Sequence, residues 1–445
     1  MDIATTLTAS PNLADLKVLA WDELGPSADL RNRLMASCYP GEYPTAIAYP
    51  QTQEELAAIA RVAYDRGWRV LPFGNGSKLH WGGLVRGVDL AISTAGLDRV
   101  VEFAEDDLTL TVEAGVTFSA INALIERKGQ QLAIDPTLPQ TATIGGIVAT
   151  ADTGSLRQRY GGIRDRLIGI QFVRHDGAIA KAGGRVVKNV AGYDLMKLLT
   201  GSYGTLGIIT QLTFRLYPIP AASQTLMLHG QPDNIDRLAR AIAASSLTPT
   251  AFDLVSPSLM KSMYLGTGVG LALRFQTVPD SITEQSDRVI ALAQQCSTIA
   301  TVYSADEEQE YWTQSRQRVD QRSQPNACSV KFGTRSTAAI AALLTADQLF
   351  KADATAIVHY QSGLGRAMIR QDQGGSRIAK WRQFCDENGG FLSVLGAPIA
   401  LKQATIDHSF DLWGYRGNAR SVMNDLADQF DPDRRYSPGR FLVSR

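Results

Sequence analysis

Three stretches of nearly bare backbone, each at the end of an apolar run, constrain this chain more than any other feature. The densest runs from Gly183 to Thr210, where six of 28 residues are glycine and Val, Leu and Ile fill the spaces between them. Glycine at that density inside apolar sequence lets main chain approach something flat or charged. An earlier stretch, Phe73-Gly74-Asn75-Gly76-Ser77-Lys78, follows an apolar strand pattern at 69–72. Its two glycines permit positive φ, so successive N–H groups can face one concavity that suits a phosphate, and Ser77 adds a hydroxyl. It is not a Rossmann fingerprint, because no G-x-G-x-x-G opens a helix, and Lys78 lacks the spacing of a P-loop lysine. Between these lies Thr141-Ala142-Thr143-Ile144-Gly145-Gly146, preceded by Pro136 and Pro139 and followed by small residues from Ala149 to Gly154. Hydroxyls, bare backbone and small side chains in one stretch line a narrow slot. Together the three turns point to one extended dinucleotide clamped along its length.

The remaining pattern is mixed α and β. Residues 1–40 read as an N-terminal extension. Ala46–Tyr49 is a strand, and Thr52 with Glu55 forms a capping box before an amphipathic helix carrying Leu56, Ile59, Ala60 and Ala63. Leu108, Leu110 and Val112 alternate with polar residues as a half-buried strand does, and 117–127 reads as a helix stopped by Gly129. Asp176-Gly177 marks a hairpin between 167–174 and 178–181. A short helix at 195–199 and a long strand at 206–216 lead to Pro218 and Pro220, which read as a domain boundary. Beyond it, strands near 225–229, 251–255, 269–276, 298–303, 328–333 and 355–370 alternate with helices near 232–245, 281–295, 306–320 and 336–350. That pattern predicts an α+β sandwich, one sheet with helices on one face, over 221–400. Residues 401–445 read as a helical segment returning to the first domain, 41–220.

Composition excludes several classes. Lys plus Arg equals Asp plus Glu at 44 each, so the net charge is zero and no basic surface for nucleic acid is expected. Cys38, Cys296, Cys328 and Cys385 lack the spacing of a metal or iron–sulfur motif. Neither a signal pattern nor a membrane-spanning apolar run is present, so the expectation is a cytoplasmic chain, peripheral at the inner membrane only through partners.

The segments Phe73 to Lys78, Ala142 to Gly146, Arg159-Tyr160-Gly161 with Asp165, and Gly201 to Ile209 resemble the FAD-binding domain of the vanillyl-alcohol oxidase and p-cresol methylhydroxylase type, over roughly 40–220. Within that superfamily, GGRVVKNVAGYDL, Asp411-Leu412-Trp413-Gly414 and the tail DPDRRYSPGR look like the FAD-binding subunit of bacterial glycolate oxidase. The resemblance implies a two-lobed α+β FAD-binding domain with a cap. It implies that Gly74, Asn75, Gly76 and Ser77 hold the pyrophosphate. Thr143, Ile144, Gly145 and Gly146 would run along the diphosphate and flavin, and Gly207 and Ile208 would offer backbone to the adenine or flavin end. Phe73, Lys78, Pro136, Thr141, Gly161 and Asp165 complete the implied cofactor set. Some relatives tether FAD through a histidine in the first glycine loop. The matching position here is Ser77, so non-covalent FAD is expected.

Oxidising a 2-hydroxy acid needs a hydride acceptor, a base or metal for the hydroxyl proton, and a cation for the carboxylate. Related catalytic flavoproteins carry a G-D-G-N-x-H motif with a later Glu-His pair. None of the five histidines here, His80, His175, His229, His359 and His408, sits in such a pattern, so no metal is expected. Arg274 and Lys331 are candidates for the carboxylate, Tyr193 or His359 for the proton, and His80 for facing the flavin. Arg157 and Arg164 read as solvated loop residues. The resemblance implies a subunit of a glycolate (2-hydroxy acid) oxidase, working beside a second, metal-equipped flavoprotein subunit and an iron–sulfur subunit. A self-sufficient FAD oxidoreductase on another small hydroxylated substrate and a non-catalytic FAD-binding structural subunit remain as alternatives.

Overall fold

The structure is a computed structural model that describes residues 2–26, 28–185, 192–320, 326–370 and 375–441. Its first lobe holds two sheets. In the four-stranded one the order is Lys17–Ala20, Ala46–Tyr49, Leu90–Ser93, Val70–Phe73. The last three strands are parallel, as a helical crossover requires, and the first is antiparallel. Helix Gln53–Arg66 makes that crossover and buries Leu56, Ile59, Ala60 and Ala63. Thr52 caps it by accepting the Glu55 N–H at 3.1 Å, and Gly67 ends it at φ 72°. The Glu55 carboxylate reaches the Gln51 N–H, one residue upstream of a standard capping box.

The second sheet of this lobe is antiparallel, in the order Val100–Ala104, Thr109–Glu113, Ile208–Arg215, Leu167–Val173, Ile179–Gly183. Gly177, at φ 80°, turns the hairpin that Asp176-Gly177 announced. Thr109–Glu113 is buried on both faces, where its alternation predicts one wet face. The polar side is covered because its groups find partners: Thr111 and Thr213 hydroxyls bond at 3.0 Å, and Glu113 pairs with Arg99 at 2.7 Å.

Residues 1–40 are built into this lobe, not appended to it. Strand Lys17–Ala20 extends the first sheet, and helix Asp29–Met35 delivers Leu34 to a core with Ile47, Leu71 and Ala91. Short elements without long periodicity gave no sign of this.

After Pro218 and Pro220 an eight-stranded antiparallel sheet forms the second lobe. Its order is Ile299–Tyr303, Ala222–Gly230, Val269–Thr277, Ala251–Val255, Ala354–His359, Leu364–Ile369, Cys328–Gly333, Phe391–Gly396. Two expectations are corrected. The single strand expected near 355–370 is a hairpin turned at Gly363, whose φ is 64°. Helices also occupy both faces. One face, with Leu226, Leu228, Phe252, Leu254, Leu271 and Leu273, packs on helices Pro232–Ala243, Pro279–Gln295, Ala339–Phe350 and Ser376–Glu387. The other, with Met227, Ala251, Val255, Ala272 and Ile357, takes Tyr311, Trp312 and Val319 of helix Ala305–Asp320. Two charged groups of that helix turn back to the same sheet, Glu308 to Arg274 and Asp320 to Arg366.

The chain then divides its end between the lobes. Leu401, Phe410, Leu412 and Trp413 join the second core. From helix Ala419–Phe430 onward it returns to the first: Ala427 enters that lobe's core, and Tyr436 bridges Val70 in parallel.

Trp381 anchors the second core. It is fully buried against Phe332 and Phe350, and its indole N–H donates to the Ala342 carbonyl at 3.1 Å. Trp381→Ala leaves a large cavity and an orphaned carbonyl, so a loss of about 3–5 kcal/mol in urea unfolding is expected.

Candidate functional site

The glycine turns meet in one cleft of about 730 Å³, lined by residues 72–79, Thr143, Gly145, Gly146, Thr150, Tyr203, Gly204, Gly207, Ile208 and Arg440. The parallel strand Val70–Phe73 delivers the first turn to the cleft at its carboxyl end. A Cβ at Gly74 would collide with the Thr143 hydroxyl, so the first and second turns pack together only because Gly74 has none. The turns differ in what they offer. Among the described residues, no acceptor takes the N–H groups of Asn75, Gly76, Ser77 or Lys78, so the first turn presents free donors. The second has spent its own: Gly145 N–H donates to Ala114 at 2.9 Å and Gly146 N–H to Thr143 Oγ1 at 3.3 Å. It supplies a smooth wall.

Of the expected cofactor residues, Phe73, Gly74, Asn75, Gly76, Ser77, Lys78, Thr143, Gly145, Gly146, Gly207 and Ile208 line this cleft. Ile144 turns its side chain into the core. Pro136 is buried away from the cleft, and Thr141 is exposed, its carbonyl accepting from Asn75 Nδ2 at 3.2 Å. Gly161 and Asp165 form a local turn in which the carboxylate accepts the Gly162 N–H at 2.8 Å. Residues 186–191, within the glycine-rich third stretch, lie outside the described residues.

A second chamber, about 360 Å³, opens between the lobes beside the cleft. Trp81, residues 150–153 and Arg157 line it from the first lobe, and Lys331, His359, Leu364, Gly365, Arg366 and Leu395 from the second. A wider cavity of about 1160 Å³, walled by Tyr203, Lys331, Trp413, Tyr415 and Phe441, adjoins both. Thr150 belongs to the wall of all three, so the spaces adjoin one another there.

Asp152 is the electrostatic centre of this region. It is buried, and its carboxylate lies 2.8 Å from Lys78 Nζ and 2.7 Å from Arg366 Nη1. The Thr137 N–H and hydroxyl also donate to it, at 2.8 and 2.7 Å. Burial pushes its pKa up, but the two cations outweigh that and hold the carboxyl far below its usual range. Arg366 reaches on to Asp320 at 2.9 Å, whose carboxyl burial raises to about 6 against the pull of Arg366. Arg366 Nη2 is buried and has no hydrogen-bond partner among the described residues. Lys331 stands nearby without a carboxylate. Burial first, then repulsion from Arg366 and Arg157, lowers its ammonium to about 8. His359 Nδ1 lies 2.7 Å from Asp253 Oδ1, and the Ser155 hydroxyl donates to the other oxygen of that carboxylate. The carboxylate accepts, so Nδ1 carries a proton, which leaves the lone pair of a neutral imidazole on Nε2.

The catalytic candidates separate accordingly. Lys331 and His359 share the chamber, and Arg157, read from sequence as a solvated loop residue, lines it with them. Arg274 does not: it pairs with Glu308 at 2.9 Å and lies over Trp312, a structural role on the same face of the sheet but outside the chamber. Tyr193 is 89% exposed and lines no described cavity. His80 packs beside Trp81 and Gly396, its carbonyl accepting from Lys402 at 2.7 Å, and lies outside the cleft. Asp152, Arg366 and Arg440 escaped the sequence reading. Their only signal is an acidic or basic residue set in a run of small or apolar ones.

This pair of lobes with its cleft has the p-cresol methylhydroxylase fold. Residues 44–183 match the family described as FAD binding domain, and that segment is one. The fold likeness extends over the whole chain. Substrate-bound p-cresol methylhydroxylase matches with a TM-score of 0.71 at 13% identity, over 98% of this chain and 95% of that one. Alkyldihydroxyacetonephosphate synthase matches with a TM-score of 0.69 at 17% identity, over 98% and 84%. In sequence, glycolate oxidase subunit GlcD of Bacillus subtilis is 31% identical over 221 residues, 49% of this chain and 47% of the relative. A probable mitochondrial D-lactate dehydrogenase of Danio rerio is 34% identical over 194 residues, 43% and 38% of the two chains. D-2-hydroxyglutarate dehydrogenase of Xanthomonas citri pv. viticola is 34% identical over 185 residues, 42% and 39%. The chain thus spans about half or less of the length of these curated relatives.

Asp152→Asn removes the charge that compensates two buried cations. Breaking a buried pair in this way costs about 3–5 kcal/mol, so a comparable loss in urea unfolding is expected, together with faster proteolytic cleavage between the lobes.

Proposed function

We propose that this chain is an FAD-dependent oxidoreductase of small 2-hydroxy acids, holding FAD non-covalently. The observation that carries this reading is the adjacency, with Thr150 in both walls, of a glycine-walled cleft and a chamber lined by Lys331, Arg157 and Arg366. The curated relatives named for glycolate, D-lactate and D-2-hydroxyglutarate support the substrate class. When bound, FAD supplies the acceptor for the hydride from carbon 2.

The residues of the chain divide the remaining work. The free N–H groups of Asn75 to Lys78 hold the diphosphate, and bare backbone at Gly145, Gly146 and Gly207 lets the cofactor lie close. Ser77 offers no nucleophile of the kind that tethers flavin. Lys331 receives the substrate carboxylate, since an uncompensated buried cation gains most from an anion, and the open Nη2 of Arg366 adds a donor. His359, fixed in its tautomer by Asp253, accepts the hydroxyl proton at Nε2. Trp81 and Leu395 wall the chamber with apolar surface.

The finer reading is the FAD-carrying subunit of a glycolate-oxidising assembly, beside a metal-equipped flavoprotein and an iron–sulfur subunit. The four cysteines are buried and free, so electrons leaving the flavin need a carrier from elsewhere. Among the described residues, no helix is long and apolar enough to cross a membrane. Contact with one would come through partners.

Anaerobic titration of the purified chain tests the reading. Its flavin absorbance is expected to bleach with glycolate or D-lactate, and more fully with the partner subunits added. A flavin that stays oxidised under every condition refutes it. The substrate site also sets a pH dependence. As pH rises through about 8, Lys331 loses its charge, so KM for the hydroxy acid is expected to rise roughly tenfold while kcat holds, as for a lost charge-assisted hydrogen bond. Lys331→Met is expected to show the raised KM at pH 7 and no further rise.

A further inference from the structure

We propose that Arg440, from the C-terminal tail, is a cofactor-binding residue that holds the diphosphate of the dinucleotide; this rests on the FAD reading above. Only two basic side chains line the cleft among the described residues, Lys78 and Arg440, and no acidic one does. Lys78 is already committed, its ammonium 2.8 Å from Asp152. Arg440 has no carboxylate. It is 4% exposed, and its Nε and Nη2 have no hydrogen-bond partner among the described residues. A buried guanidinium with two idle donor nitrogens is costly unless something anionic meets it.

Its third nitrogen shows where that anion belongs. Nη1 donates to the Leu79 carbonyl at 2.9 Å and to the Trp81 carbonyl at 2.7 Å. The guanidinium is thereby pinned to the segment that follows the free N–H groups of Asn75 to Lys78. Donors on the turn and the fixed fork on the tail then converge on one group, and a planar fork suits phosphate oxygens. The tail is held in place for this. Gly83 N–H donates to the Arg440 carbonyl at 2.7 Å, and a Cβ at Gly82 would lie 2.8 Å from the same oxygen. Burial also draws the Arg440 pKa down to about 10, as expected of a cation whose counter-charge is supplied from outside the chain.

Calorimetric titration of the flavin-stripped full chain with FAD, ADP and riboflavin tests this. Arg440→Gln is expected to weaken FAD and ADP, which carry the diphosphate, by tenfold or more, and to leave riboflavin unchanged. Arg440→Lys, which keeps the charge but loses the fork, is expected to weaken both by three- to tenfold, and it serves alone if the Gln variant fails to fold. Wild-type FAD affinity in either variant overturns the proposal, as does an equal loss for riboflavin, which would mark a packing role. A wild-type chain that takes up no FAD overturns the FAD reading itself, whereas wild-type binding matched by both variants overturns only the role of Arg440.

Discussion

One buried carboxylate organises the functional half of this molecule. Asp152 follows the glycine wall of the cleft, neutralises the lysine of the first glycine turn, and grips Arg366 on the opposite lobe. A carboxylate with two cations and two further donors stays ionised despite burial, because each contact favours the charged form. The same charge therefore shapes the cleft and fixes the cap above it. It also gives Lys78, which lines the cleft, a counter-charge of its own.

The two cavities differ in electrostatic character. The cleft offers main-chain donors, apolar walls and one uncompensated guanidinium. The chamber gathers Lys331, Arg157 and Arg366 around Asp152 and Asp320, with an imidazole held by its own carboxylate. A long, doubly charged molecule suits the first. A small acid with a proton to give up suits the second. Thr150, at their junction, is where the two would meet.

Much of this was legible in the sequence, and the reasons are local. Glycine turns announce themselves because backbone freedom is a property of single residues, so Gly74, Gly145 and Gly207 could be placed together before any fold was known. Strands such as Ala251–Val255 and Cys328–Gly333 were bounded correctly by their apolar runs and turn residues. Long-range pairing was hidden. Nothing near Asp152 points to Arg366, 214 residues away. Arg274 and Lys331 looked alike as strand cations, and only the sheet decided that one faces Glu308 and the other the chamber. Strand Lys17–Ala20 was passed over because its partner, not its own pattern, makes it a strand. Helix Ser376–Glu387 was missed because its buried face includes Arg382, whose guanidinium is spent on the carbonyls of Leu392 and Leu412.

The route of the tail has a consequence for biogenesis. The cleft's walls come from both residue 73 and residue 440, and Tyr436 pairs with a strand laid down more than 360 positions earlier. A nascent chain can lay down its glycine turns early, yet the pocket lacks one wall until residues 436–440 have also emerged and docked. Completion of the cleft is therefore tied to a contact of very long sequence separation, the slowest kind for a chain to find.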